Sequence, residues 1–208
     1  MPNSDRARRV FLPPHQVRHH FLPPALADDL LAFAVANENR FVASAANRPE
    51  GPVVDPAWRI SRMLPDPGPF AAELEAHVMP LADGLMTDLH IERFKPARVE
   101  LSLVAHEDGA FLSRHIDFLR AGDAPTRRML SGVYYFHARP KGFSGGALRL
   151  HEVMARGPQT HYVDVEPVHN SMLFFAGFMP HEVRPVSVPS GRFADSRFSM
   201  NFWIHRAK

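Results

Sequence analysis

The sequence contains no cysteine. That absence excludes disulfides, zinc–thiolate sites, iron–sulfur clusters and cysteine nucleophiles together, and it leaves the redox compartment open. There is also no run of about 18 apolar residues, and no charged segment leads into an apolar one at the N-terminus. No membrane span or secretory signal is expected, so a cytoplasmic protein without membrane contact is the default. A strong excess of charge of one sign is missing too: the formal net charge is +2 over 208 residues. Arg6, Arg8 and Arg9 form a small basic cluster, but no aromatic residues are interleaved with it. Nucleic acid is therefore not an expected partner. What is present suits one domain with a substantial core, because 45% of the residues are hydrophobic. Thirteen histidines invite metal readings, although most should be ordinary surface or core residues.

Residues 1–20 read as a loop or short edge strand. His15, His19 and His20 have no carboxylate partner at fixed spacing and are not assigned to a metal. After Pro23-Pro24, apolar residues from Leu26 to Val35 recur at three- and four-residue intervals and predict a helix. Pro in its first turn and Asp28-Asp29 early in it suit the N-terminal dipole. Residues 39–60 read as a long loop carrying a short strand near Trp58-Arg59-Ile60-Ser61, and Arg59 could reach a substrate anion or form a surface ion pair. Phe70, Leu74, Val78, Leu81, Leu85 and Leu89 share a face and predict a second helix over 70–90, which Pro80 should kink or split.

From residue 97 the apolar period changes to two. Strands are expected at 98–105, 111–117, 129–137, 146–152, 160–166, 171–176, 181–187 and 196–204, separated by Gly/Pro/Asp turns. Eight short strands spaced in this way suggest a sandwich or barrel. Within them, His115-Ile116-Asp117 is half of a metal site. On a strand, alternate side chains share a face, so His115 and Asp117 project together while Ile116 turns into packing. Two His and one carboxylate hold Fe(II) on one face and leave the other open. His181, after the apolar run Ser171–Ala176 and a turn, is the candidate third ligand. Arg197 opens the last strand, facing inward. A buried guanidinium needs an anion, and a dicarboxylate would satisfy it with a bidentate pair. Tyr135 lies on the inward parity with Val133, and its hydroxyl could donate to the same carboxylate.

The segment from about 99 to 204 resembles the 2-oxoglutarate/Fe(II)-dependent dioxygenases, specifically the prolyl-4-hydroxylase-like branch. The likeness rests on Gly109 through Asp117, Arg128 through Phe136, Gly145-Gly146-Ala147-Leu148-Arg149-Leu150, Val165-Glu166-Pro167, the run into His181-Glu182-Val183, and the strand joining Arg197 to Trp203. Departures are visible. His106 stands where the family often has a tyrosine that contacts the co-substrate. Asn201 stands where a hydroxyl or amide donor is common. The interval from His181 to Arg197 is long, so Arg192 rivals Arg197 as anchor.

The resemblance implies a mainly β fold with flanking helices: a double-stranded β-helix (jelly roll, cupin-like) buttressed by N-terminal α-helices. It reads as a single domain, with 1–95 as helical support and substrate-side loops and 96–208 as the catalytic core. It also implies Fe(II) on His115, Asp117 and His181, and 2-oxoglutarate held by Arg197 and Tyr135 with Asn201 and His106 as further contacts. O2 would be the oxidant and ascorbate supportive. The expected outcome is hydroxylation of a C–H bond in a small molecule, amino acid or peptidyl proline, with release of succinate and CO2. The loop from Leu119 to Arg127, with Arg120 and Arg127, would sit at the rim. Asp117 argues against a halogenase, and Trp203 replaces the second arginine of the nucleic-acid demethylases. The competing reading is a non-catalytic jelly-roll protein that binds a metal or ligand without turnover.

Overall fold

The period-two segment folds as antiparallel sheets, and the helices ahead of it cover one of them. The computed structural model describes residues 13–48, 51–117, 126–153 and 161–207. In chain order the first part holds β1 (His15–His19), α1 (Pro24–Ala36), β2 (Val42–Ala43), the β3 (Ala46–Arg48) and β4 (Gly51–Val53) hairpin, β5 (Arg59–Ile60) and β6 (Arg62–Leu64). Helices α2 (Phe70–Val78) and α3 (Ala82–Asp88) follow, separated by a 3-10 turn at Met79–Leu81. Pro80 sits in that turn. Without an N–H it cannot continue the α-helical ladder, and the expected helix is split there.

The strands of the second part are β7 (Pro96–His106), β8 (Phe111–His115), β9 (Thr126–Phe136), β10 (Ser144–Gly145), β11 (Leu148–His151), β12 (Tyr162–Val165), β13 (Ser171–Ala176), β14 (His181–Val183), β15 (Val186–Ser187) and β16 (Arg197–Ala207). A seven-stranded sheet runs β1-β13-β9-β16-β7-β6-β2, and a five-stranded sheet runs β12-β11-β14-β8-β5. Their facing surfaces enclose one cavity, giving the expected double-stranded β-helix with N-terminal helices outside it.

The strands of the larger sheet have two chemically distinct faces. On β16, Phe198, Met200, Phe202 and Ile204 are buried in the core shared with Leu30, Leu74 and Leu85 of the helices. The alternate residues Arg197, Ser199, Asn201 and Trp203 line the cavity. β9 pairs in register with β16, Ser199 opposite Tyr135 and Asn201 opposite Val133, so Tyr135 and Val133 share the cavity-side parity. Burying the helix-facing side chains contributes about 1.5–3 kcal/mol each. That surplus offsets the cost of a polar inner face. Asn170 ties the N-terminal part to this sheet. Its amide donates to the Leu22 carbonyl (2.9 Å), and its Oδ1 accepts from the Leu22 N–H (2.9 Å) and the Tyr134 hydroxyl (3.0 Å).

Three local expectations are corrected. The strand carrying the H-x-D ends at His115, and the chain bends so that the Asp117 N–H reaches the Gly177 carbonyl at 3.0 Å. Ile116 consequently does not enter the packing but lies 45% exposed at the cavity. Helix α1 starts at Pro24, so Asp28 and Asp29 fall beyond its first turn, where the dipole effect has faded; Asp28 instead pairs with Arg139 at 2.7 Å. The proposed rim loop ends earlier than residue 127, because β9 begins at Thr126. The rest of that loop, with Arg120, and the cluster Arg6, Arg8 and Arg9 lie outside the described residues.

Candidate active site

His115 and His181 come together because β8 and β14 pair with these two residues opposite each other. The register shifts between that pair and the next, Val183 opposite Leu112. This bulge adds one residue to β8, so Leu112 and His115 both line the cavity although three positions apart. The two imidazole centroids lie 4.2 Å apart. The Nδ1 of His115 lies 2.9 Å from the Ser113 carbonyl, and that of His181 lies 2.8 Å from the Met179 carbonyl. A carbonyl only accepts, so each Nδ1 carries the proton and each Nε2 keeps its lone pair. Those nitrogens lie 3.7 Å and 3.6 Å from the Asp117 oxygens. All three ligand atoms fall within 4.8 Å of one another, a spacing that could hold one metal ion.

The protonation states suit that use. Burial would raise the Asp117 carboxyl, but His181 and His115 beside it hold it well below the usual range. Burial, reinforced by His115, pushes His181 down to about 4, so it is a neutral ligand at pH 7. Ser131, buried on β9, donates to Asp117 Oδ2 at 2.8 Å and fixes the carboxylate. Its role escaped the sequence reading.

The other end of the cavity is cationic and unsatisfied. Arg197 is fully buried, and among the described residues no carboxylate pairs with it. Its Nε donates to the Gly146 carbonyl at 2.7 Å, and Nη1 lies 3.2 Å from His106 Nδ1. Gly146 must be glycine here: φ is +71°, and a Cβ would lie 2.6 Å from Arg197 Cδ. Because the guanidinium only donates, His106 Nδ1 accepts, and the proton of the neutral ring sits on Nε2. Burial and then the charge of Arg197 keep that ring neutral. His106 Nε2, Tyr135 Oη, Arg197 Nη2 and Ser199 Oγ are all buried without a hydrogen-bond partner. Burial raises the Tyr135 phenol to about 12 despite Arg197 nearby, so it remains a donor. Three of these groups line one pocket and Tyr135 lies beside Arg197, an arrangement that fits a carboxylate, since each group left alone costs about 1–3 kcal/mol.

Residues 101–205, which contain all seven candidate site residues, match the 2OG-Fe(II) oxygenase superfamily. The chain belongs to that superfamily. Membership makes this an oxygenase fold that works with Fe(II), 2-oxoglutarate and O2, and removes the non-catalytic jelly roll from contention. The chain is similar to a PKHD-type hydroxylase of a Synechocystis species, 30% identical over 97% of this chain, and it spans 66% of that relative's length. It is also similar to a Pseudomonas putida prolyl-4-hydroxylase structure, with 27% identity, 94% of each chain covered and a TM-score of 0.66. A Trichoplax adhaerens prolyl hydroxylase, in complex with a hypoxia inducible factor peptide fragment, shares the fold at 17% identity and a TM-score of 0.67, over 92% of this chain and 83% of that one.

Within the oxygenase, the rival anchor is engaged elsewhere. Arg192 forks onto Asp195 at 2.8 and 3.0 Å and is mostly exposed. Glu182 and Arg184 do not orient His181. They pair with each other at 3.2 Å, on the strand parity opposite to His181. Asn201 lines the cavity, one inward step beyond Ser199 from Arg197. His137 and His151 are buried and His169 is half-buried, none of them in the cavity lining, as expected of packing residues. No helix among the described residues is long and apolar enough to cross a membrane.

Proposed function

We propose that this oxygenase hydroxylates a C–H bond of a small molecule, amino acid or peptidyl proline, converting 2-oxoglutarate to succinate and CO2. His115, Asp117 and His181 hold the metal. Arg197 and Tyr135 hold the far carboxylate of the co-substrate, with His106 and Asn201 as additional donors. The observation that carries this reading is the pairing of two unmet demands in one cavity of about 470 Å³: three convergent ligand atoms at one end, and at the other three orphaned polar groups with Tyr135 beside Arg197. Cavities of this size accommodate small ligands.

When bound, Fe(II) and 2-oxoglutarate supply the decarboxylation and the oxidising power. The chain supplies position. Asp117, held by Ser131, and the two carbonyl-oriented imidazoles would hold the metal through their three convergent ligand atoms. The Arg197 guanidinium is kept in place by Gly146 and His106 and meets the charge it faces with N–H donors. His106 still presents an N–H where tyrosine is common in the family, so its donor function survives the replacement. Phe175, whose ring lies 4.7 Å from that of His181, and Leu148 and Val183 keep the space between the two ends apolar. The similarity to prolyl hydroxylases, one of them with a bound peptide, supports a peptidyl or free proline-like substrate. The test is succinate formation from 2-oxoglutarate with Fe(II), ascorbate and O2. Turnover should vanish in His115→Ala and Asp117→Ala. Equal succinate from those variants would refute the assignment.

A further inference from the structure

Arg59 and Arg128 enter the same cavity as Arg197. β5 joins the edge of the five-stranded sheet by pairing with β8, and Arg59 sits opposite Leu112. Both side chains therefore face inward and line the cavity. The Arg59 Nε donates to Ser61 Oγ at 2.6 Å, and Ser61 in turn donates to the buried Ser44 Oγ at 2.9 Å. This relay fixes the base of the guanidinium. Its two terminal nitrogens have no hydrogen-bond or carboxylate partner among the described residues, whereas Arg62, Arg128, Arg149 and Arg192 each face a carboxylate. The charge is half-buried, and desolvation lowers the guanidinium to about 10 although Asp117 opposes this. It acts on both ends of the cavity, since His106 is also held down in part by Arg59.

The charge balance shows what is missing. A metal dication, Arg197 and Arg59 bring four positive charges, and Asp117 brings one negative. Arg128 and Glu100 cancel each other. 2-Oxoglutarate adds two negative charges and leaves one positive charge over. An uncompensated charge in a partly desolvated site is costly, and the planar guanidinium fork matches a carboxylate. We propose that Arg59 is a specificity-determining residue and that the prime substrate carries a free carboxylate that binds it. This rests on the oxygenase reading above. It places free amino acids, N-acylated amino acids and peptides with an exposed carboxylate ahead of neutral substrates.

The test is calorimetry on the full chain loaded with 2-oxoglutarate and Mn(II), which occupies the metal site without turnover. The probes are free and N-acetylated L-amino acids and their primary amides. At least one acid should bind ten or more times tighter than its amide. Arg59→Gln should abolish that preference, Arg59→Lys should retain part of it, and both should keep 2-oxoglutarate affinity within tenfold of wild type. No preference for any acid would overturn the proposal, as would a preference that survives in Arg59→Gln. A tenfold loss of 2-oxoglutarate affinity in Arg59→Gln would also overturn it, by assigning Arg59 to the co-substrate. Failure of the wild-type chain to bind 2-oxoglutarate with metal would instead refute the oxygenase reading.

Discussion

Replacing Gly146 with alanine should weaken 2-oxoglutarate binding without touching any ligand atom. The backbone there has φ +71°, and a Cβ would come 2.6 Å from Arg197 Cδ and 2.9 Å from Val186 Cγ2. Alanine in the left-handed region costs about 1–2 kcal/mol. Relieving the overlap moves the arginine stem away and breaks its 2.7 Å bond to the Gly146 carbonyl, a charge-assisted contact worth about 1.5–3 kcal/mol. The sum, about 2.5–5 kcal/mol, lowers Tm by roughly 5–20 °C for a chain of this size. A displaced Arg197 loses part of its grip on the carboxylate, so the Kd for 2-oxoglutarate should rise about 10- to 100-fold. Metal affinity measured without co-substrate should be unchanged. Gly191→Ala is the control. Its φ is +64°, yet nothing lies within 4 Å of an added Cβ, so it should lose only the backbone component and bind 2-oxoglutarate normally. Calorimetric titration of both variants decides the matter. A Gly146→Ala protein with wild-type 2-oxoglutarate affinity, or equal losses in both variants, would refute the positioning of Arg197 by this turn.

Ser131→Ala removes the hydroxyl that holds Asp117 Oδ2 and should weaken metal binding about 10- to 100-fold; a Kd for Mn(II) within twofold of wild type would dismiss that support. Tyr135→Phe should act on binding more than on stability. It deletes a buried hydroxyl beside Arg197, so the ligand-free protein should change little in stability while 2-oxoglutarate affinity falls about tenfold; a stability loss with unchanged affinity would contradict this. Acid should destabilise the metal-free protein between pH 7 and 5. His181 is depressed to about 4 in the folded state, so the unfolded chain binds the extra proton below about 6.5 and stability falls by about 2 kcal/mol by pH 5 from this residue alone. His106 is depressed in the same direction and adds to the loss. A denaturant midpoint that does not move between those two pH values would sink the assignment of neutral imidazoles.

The parts of the molecule legible in the sequence are those written in local pattern. Alternation from residue 97 marks strands because inward and outward faces have different solvents. Pro80 marks the helix break because it lacks an N–H. His115, His181 and Arg197 are readable from residue type and strand parity, whereas Asp117 is readable from residue type alone because the strand ends at His115; the fold brings all four to one cavity. What was not readable depends on partners distant in sequence. Ser131 looks like any strand serine until β9 places it beside Asp117. Arg59 admitted two readings until β5 paired with β8 and turned it inward. Strands β2, β3, β4 and β6 are two or three residues long, too short to show a period. Ile116 was misplaced because parity was carried past the residue where the strand ends. The twist of the chain after His115, which exposes Ile116 while burying Asp117, has no local sequence signal.

The proposed function requires one cavity that binds a metal at one end and the far carboxylate of 2-oxoglutarate at the other. Anaerobic calorimetric titration of 2-oxoglutarate into the wild-type chain, with and without Fe(II), tests this most directly when repeated on Asp117→Ala and Arg197→Gln. Binding should require Fe(II), disappear in Asp117→Ala, and weaken at least tenfold in Arg197→Gln while that variant still takes up metal. Binding that ignores the metal and both substitutions, or no binding by the wild-type chain, would contradict the proposed function.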